Sequence, residues 1–297
     1  MTTILLAGKT GQVGWELQRA LLPLGTLIAP GRDEMDLLDP DSIRARVRST
    51  KPDLIVNAAG YTTVDKAEVE PDLLEQLNVV APGILAEEAK RAGAPLIHYS
   101  TDYVYDGTLE RPYTENDEPN PVNAYGRSKL AGERAIQAAG GNYLILRTSW
   151  VYGGRGSNFV LAILRLAREK TVLPVVNNQI GSPSWVRALA DATASLLRQH
   201  NLFATRGGIY HLSADGHTSR YEFARAIVRH AQAVSGRHNG WADIRSITSS
   251  DYPLPAHRPL NPVTDKGKIQ REFGITMPHW ETQLTSFLSE FAVTWPL

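Results

Sequence analysis

The chain has 297 residues, 42% hydrophobic and 21% charged, enough to bury a sizeable core and close to ordinary globular usage, so a mini-protein, a disordered chain and a fibrous repeat are excluded. Lys plus Arg and Asp plus Glu are 31 each, a formal net charge of +0, and no global field favours nucleic acid or an anionic membrane. Cysteine is absent, so there is no disulfide framework, thiolate nucleophile or thiolate metal site.

The start, MTTILLAGKTGQVG, has no basic leader, and no apolar run approaches the roughly 20 residues of a membrane helix, so a cytoplasmic protein without a membrane span is expected. Short apolar runs then alternate with helix-period stretches, the pattern of βαβ units. Thr3–Ala7 reads as the first strand. Val13, Leu17, Leu21 and Leu24 recur at helical spacing, with Gly25 as a stop. Residues 26–29 read as a second strand; Asp39 caps and Pro40 starts a helix carrying Ile43 and Val47, and 53–59 read as a third strand. Residues 71–93 are mostly helical. Leu96–Thr101, a helix over 123–139 and Tyr143–Thr148 complete a second half. Beyond Trp150 the pattern loosens into a helix over 158–170, an extended Val172–Val176, a helix over 185–199, a strand over 209–212, a helix over 221–234 and a last amphipathic helix over 281–293. The intervening DYPLPAHRPLNP is too short for a linker and reads as a surface wrap.

Two motifs carry chemistry. Gly8, Gly11 and Gly14 follow the first strand and open a helix, where free N–H groups and the positive helix end can meet a pyrophosphate and glycines allow close approach. The embedded GKT is no Walker A loop, because the first glycine of that motif would fall on Thr3. After the second strand stands Pro30-Gly31-Arg32-Asp33, where a carboxylate would accept from an adenosine ribose 2′-hydroxyl and an arginine would pair with a 2′-phosphate. Gly31 offers no carboxylate and Arg32 stands next, which favours NADPH; the alternative leaves Arg32 solvated and gives the ribose to Asp33. The second motif, Tyr125-Gly-Arg-Ser-Lys129, puts a phenol and an ammonium on one helix face. Carbonyl reduction needs a proton at oxygen as hydride reaches carbon, and a nearby Lys cation would lower the phenol's pKa toward the working range. The alternative is a half-buried Tyr beside a solvated Lys. Ser100-Thr101-Asp102-Tyr103 lies at the carboxyl end of the preceding strand, where open α/β sheets bind ligands.

The glycine pattern with Tyr125 and Lys129 resembles the extended short-chain dehydrogenase/reductase family. The blocks GKTGQVGWELQ from Gly8, NAAGYTTVDKAE from Asn57, STDYVYDG from Ser100, YGRSKLAGE from Tyr125, RTSWVYG from Arg147 and the Arg258-Pro pair are most similar to its branch that reduces dTDP-4-dehydro-β-L-rhamnose. The resemblance implies a Rossmann-type doubly wound parallel sheet over residues 1–150, with a later return near 185–212, and a smaller, mainly substrate-binding α/β domain over 151–297. It implies NADPH-dependent reduction of the sugar 4-keto group to dTDP-L-rhamnose for bacterial surface polysaccharide. Thr101 would hydrogen-bond the keto oxygen, Tyr125 would give the proton, and Lys129 would hold the nicotinamide ribose and tune Tyr125. Gly8, Gly11, Gln12, Val13, Gly14, Arg32, Asp36, Leu37, Ala59, Gly60, Tyr61 and Thr62 would surround the cofactor. Asp102, Tyr103 and Trp150 would lie beside the deoxysugar or nucleotide, the indole face suiting the sugar's apolar face, and Arg258 would clamp the diphosphate. Some members have an acidic residue where Gly31 stands, which leaves NADH as a weaker option here. Some bind magnesium at a dimer contact; Glu16 matches one ligand but Arg187 occupies another, so no metal is expected, while a homodimer stays open. A different nucleotide-sugar reductase or epimerase, and a non-catalytic cofactor-binding subunit, are the competing functions. His98 and His211 read as core or edge histidines, and Arg91, Arg134, Arg165 and Arg168 as solvated helix faces.

Overall fold

The computed structural model describes residues 2–294. Residues 1 and 295–297, at the outer limits of the two expected domains, lie outside the described residues. Six parallel strands build the main sheet: β1 (Thr3–Ala7), β2 (Thr26–Ile28), β3 (Leu54–Asn57), β4 (Leu96–Thr101), β5 (Tyr143–Thr148) and the strand Gly208–His211. Their spatial order runs from Gly208–His211 through β5, β4, β3 and β1 to β2. β3 and β4 are buried along their whole length, as strands covered on both faces are, and they carry Asn57, His98, Ser100 and Thr101 inward with their apolar residues. The chain leaves β1 outward to β2 and returns to β3 on the other side, so the carboxyl ends of β1 and β3 flank a topological switch point.

Helices α1 (Gln12–Leu21) and α7 (Val186–Leu197) cover one face through Leu17, Leu21, Leu189 and Leu196. Helices α2 (Pro40–Thr50), α4 (Ala81–Ala92) and α5 (Ala124–Ala139) cover the other through Ile43, Val47, Leu85 and Ile136. The expected helix over 71–93 is interrupted: α3 (Pro71–Glu75) passes into a wide π turn at Gln76–Val80 before α4 begins. Asn123 caps α5 by accepting from Gly126 N–H, which fixes where the helix carrying Tyr125 starts.

A further apolar cluster forms beyond residue 150 around Tyr152, Ile163, Trp185, Phe223 and Phe287, drawn from α6 (Phe159–Glu169), the helices Arg220–Ser235 and Trp280–Thr294 and the paired short strands Val151–Tyr152 and Ser184–Trp185. Val13 and Val151 touch both this cluster and the sheet's core, so the two halves share one wall of apolar side chains. Asp243–Ile247 pairs in parallel with Val172–Val176, a strand the sequence reading lacked because its exposed faces give no apolar alternation. The Pro-rich stretch is stitched down at intervals: Ala256 N–H donates to Asp65, Ile180 N–H to Leu260 O, and Asn261 N–H to Gly107 O.

Candidate active site

At the amino end of α1 the cap is Gly11, with no side chain to satisfy the first N–H groups, so they remain available to an anion. Glycine is required by packing here: a Cβ at Gly14 would sit 2.0 Å from Gly8 O, and one at Gly8, whose φ is +87°, would sit 2.6 Å from Ala59 N. The loop opens into a cleft of about 420 Å³ lined by Gly8, Gly11, Arg32, Asp36, Leu37, Ala59 and Gly60. Gly11, Ala59 and Gly60 also line a second cavity of about 380 Å³ with Gln12, Val13, Thr62, Thr101, Asp102, Tyr103, Tyr125, Lys129 and Trp150, so the two spaces meet along the loop. Gly14 lies behind that loop. Tyr61 lines neither space; its phenol donates to Glu70 at 2.5 Å, and its backbone is held by Asn78, whose side chain accepts from Tyr61 N–H and donates to Tyr61 O.

At the far end of the first cleft, Arg32 is largely exposed and loosely paired with Asp36 at 3.4 Å. Lys9, which the sequence reading passed over inside GKT, lines the same cleft and lies 3.8 Å from Glu34. A side chain at Gly31 would start 2.6 Å from an Asp33 carboxylate oxygen, so the acidic group beside this position is that of Asp33.

In the second cavity Thr101, at the end of β4, turns its hydroxyl into the 3₁₀ turn that follows, accepting from Tyr103 N–H at 3.1 Å and reaching Asp102 at 3.2 Å. The Tyr125 phenol faces the same hydroxyl, and burial pushes its pKa well above the ordinary tyrosine value, so the phenol holds its proton. Tyr103 packs edge-on against Tyr125, centroids 5.8 Å apart.

The expected tuning of Tyr125 by Lys129 is not what the geometry shows. Lys129 is buried; its Nζ donates to Tyr99 O at 2.6 Å and lies 3.2 Å from His98 Nε2. Asn57 accepts from Ala59 N–H and so turns its amide nitrogen to His98 Nδ1 at 3.0 Å, which leaves the neutral ring's proton on Nε2, facing Lys129. Burial pushes the Lys129 pKa down to about 8, against the Glu133 carboxylate, which favours the ammonium. His98, read as an ordinary core histidine, is thus the neighbour that locates Lys129.

Asp102 is buried with Ser149 donating to it at 2.6 Å, and burial raises its pKa to about 6. Trp150 does not present an open indole face. Its ring carries the Arg220 guanidinium at 3.8 Å, and a Cβ at Gly181 would stand 2.3 Å from Cε2. Arg220 lines the cavity and was missed by sequence reasoning; it opens the helix Arg220–Ser235 as one more helix-face arginine, with no motif around it. Arg258 is not free either: it makes a two-pronged pair with Asp65, 2.5 and 2.7 Å, on the side of Tyr103.

Behind α5, Glu133 and Arg147 form a wholly buried ion pair, Nη2 to Oε2 2.5 Å and Nε to Oε1 2.9 Å. Ser100 donates to Glu133, and Arg147 continues to Tyr105 and His211, tying α5 to the ends of β4 and β5. On the outer face Arg187 pairs with Glu16 at 3.2 Å and with Glu290. Among the described residues no group of three or more His, Cys, Asp or Glu is placed to hold a metal, and no helix is long and apolar enough to cross a membrane.

Comparison with known proteins bears on this arrangement. The family model described as the RmlD substrate binding domain matches residues 1–293. A dTDP-4-dehydrorhamnose reductase of Burkholderia thailandensis is 45% identical over 282 residues, covering 93% of this chain and 95% of its own; that of Salmonella typhimurium is 43% identical over 295 residues, covering 98% of each. Among solved structures, the dTDP-4-dehydrorhamnose reductase of Bacillus anthracis in complex with NADP superposes with a TM-score of 0.88 at 32% identity, covering 98% of this chain and 100% of that one. A Thermus thermophilus UDP-glucose 4-epimerase, 18% identical with a TM-score of 0.78, shares the fold.

Proposed function

The chain belongs to the family of the RmlD substrate binding domain, and from that premise we propose that it is an NADPH-dependent reductase that converts the 4-keto group of dTDP-4-dehydro-β-L-rhamnose to the alcohol, giving dTDP-L-rhamnose. The observation that carries this reading is the meeting of two spaces: a glycine-loop cleft suited to a dinucleotide and a cavity whose wall is Thr101 and a proton-holding Tyr125. We assign residues 1–150, with the return near 185–212, to the cofactor and 151–297 mainly to the substrate, in a cytoplasmic setting.

The residues present fit a nicotinamide dinucleotide. Gly8, Gly11 and Gly14 form a cradle that side chains would fill, and Gln12, Val13, Asp36, Leu37, Ala59, Gly60 and Thr62 border its path. Tyr61 contributes through its backbone. Lys9 and Arg32 supply two cations for a 2′-phosphate, and Gly31 itself offers no carboxylate to an adenosine ribose. The cofactor, when bound, supplies the hydride.

The chain's own residues then handle the oxygen. Thr101 Oγ1 turns its one proton from Asp102 to the keto oxygen and polarises it, and Tyr125 gives up its proton as that oxygen gains charge. A phenol held neutral by burial is a competent donor here, since an alkoxide is the stronger base. Lys129, fixed by Tyr99 O and His98 beside Gly60, would meet the nicotinamide ribose. Asp102, Tyr103 and Trp150 line the sugar side, and Arg258, steadied by Asp65, stands next to Tyr103. No metal enters the mechanism.

The test is NADPH oxidation with dTDP-4-dehydro-β-L-rhamnose, read against the uridine-linked sugar. The proposal expects one NADPH consumed per sugar and preference for the thymidine carrier. Catalytic rather than stoichiometric NADPH with epimerised product would indicate an epimerase, and no consumption with any keto-deoxysugar nucleotide would indicate a cofactor-binding subunit.

A further inference from the structure

Arg220 is drawn into the cavity without a carboxylate to meet it: among the described residues no Asp or Glu lies within ion-pair distance of its guanidinium. Its electrostatic neighbours are Asp102 and Tyr103, which favour the charge, and Arg258, which opposes it. Both oxygens of Asp102 are already engaged, by Thr101 and Ser149, and Arg258 is neutralised by Asp65. Two guanidiniums therefore flank the Tyr103 phenol, and only one of them has its counter-ion.

The group is also held rigid. It lies 3.8 Å from the centre of the Trp150 ring and 4.9 Å from that of Phe159. A Cβ on Gly181 would be 2.3 Å from Trp150 Cε2 and 2.6 and 2.7 Å from the atoms bonded to it, Nε1 and Cδ2, the pattern of an approach perpendicular to the ring. Gly181 and Arg220 cannot occupy the same face at those distances, so the indole is covered on both. Trp150 holds this position with φ at +40°, a left-handed backbone that a large side chain adopts only under constraint. A sugar therefore meets the edge of this indole and not its face.

We propose that Arg220 is the anion-binding residue for the diphosphate of the sugar nucleotide, with Trp150 as the shelf that fixes its guanidinium. The inference rests on the nucleotide-sugar reading above. A half-buried, uncompensated cation costs free energy in the empty protein, and a phosphate oxygen supplies the missing counter-charge. A planar fork resting on aromatic rings presents its N–H edge to phosphate oxygens with little ordering left to do.

The experiment is calorimetric titration of dTDP, thymidine and NADPH into wild type, Arg220→Gln and Arg220→Lys, with thermal melts confirming that the variants fold. Arg220→Gln should weaken dTDP about 10- to 100-fold, the scale of a hydrogen bond to a charged group, while leaving thymidine and NADPH unchanged. Arg220→Lys should restore a minority of the loss, since an ammonium lacks the fork. Wild-type binding of dTDP with equal binding by Arg220→Gln overturns the inference and leaves the reductase reading standing, as does a loss confined to NADPH. Failure of the wild type to bind dTDP at all removes the nucleotide-sugar reading and the inference with it.

Discussion

Arg147, sealed behind α5, and Arg220, on the cavity wall, are treated by the fold in opposite ways. Arg147 is sealed in with Glu133 and passes its remaining hydrogen bond to Tyr105. Arg220 is set against rings and left without a carboxylate in contact. A cation satisfied within the protein joins helix to sheet, whereas one left unsatisfied at a cavity wall is available to a ligand. Removing a partner from the first should damage the fold; removing the second altogether should damage binding.

The largest effect should come from breaking the sealed pair. Glu133→Gln leaves Arg147 buried and uncompensated, and stability should fall by about 3–5 kcal/mol, measured by denaturant unfolding. The double change Glu133→Gln with Arg147→Met should recover most of that loss, whereas Arg220→Met alone should shift stability by less than about 1 kcal/mol. A similar loss at both arginines would erase the contrast between them.

Asp102 sharpens the same contrast through pH. Its folded-state pKa of about 6 lies above that of the unfolded chain, so the fold binds the extra proton, and the favourable contribution is complete below the unfolded value and lost as pH rises through about 6. Asp102→Asn should therefore gain on wild type as pH rises from 4 to 7, by an amount on the order of 2–3 kcal/mol. Melting curves across that window check the sign; a gap that narrows with rising pH would contradict it.

A smaller effect is expected at the exposed end of the cofactor cleft. Arg32→Ala should weaken NADPH by about 1.5 kcal/mol, the low end for a charged hydrogen bond in view of its exposure, and leave NADH nearly unchanged by titration. Equal losses for both cofactors would move the 2′-phosphate contact to Lys9.

What could be read from the sequence follows from which signals are local. Thr3–Ala7, Leu96–Thr101 and Tyr143–Thr148 match their expected limits because each is a short run, mostly apolar and buried, bounded by turn residues. Asp39 and Pro40 start α2 as expected, since a cap and an N1 proline act on their own neighbours. The π turn at Gln76–Val80 has no periodic signature, and Asn78, which it carries inward to Tyr61 and Ser128, stayed invisible. Tyr125 and Lys129 were legible from their spacing, but spacing gives one helix face and not the direction of the lysine, which His98, from a neighbouring strand, decides. Trp150 was picked out as a residue, while the use of its face depended on Gly181 and Arg220, each far along the chain. Arg258 was singled out for sparse neighbouring charge, yet its counter-ion comes from Asp65.

In the proposed mechanism Tyr125 delivers the proton to a keto-sugar oxygen beside Thr101. Single-turnover reduction of dTDP-4-dehydro-β-L-rhamnose by NADPH, compared between wild type and Tyr125→Phe, isolates that step, because the change keeps the ring and removes only the proton donor. The rate of the chemical step should fall by about 10²- to 10⁴-fold with NADPH affinity nearly intact. A chemical step close to the wild-type rate would contradict the assignment of Tyr125 and the mechanism built on it.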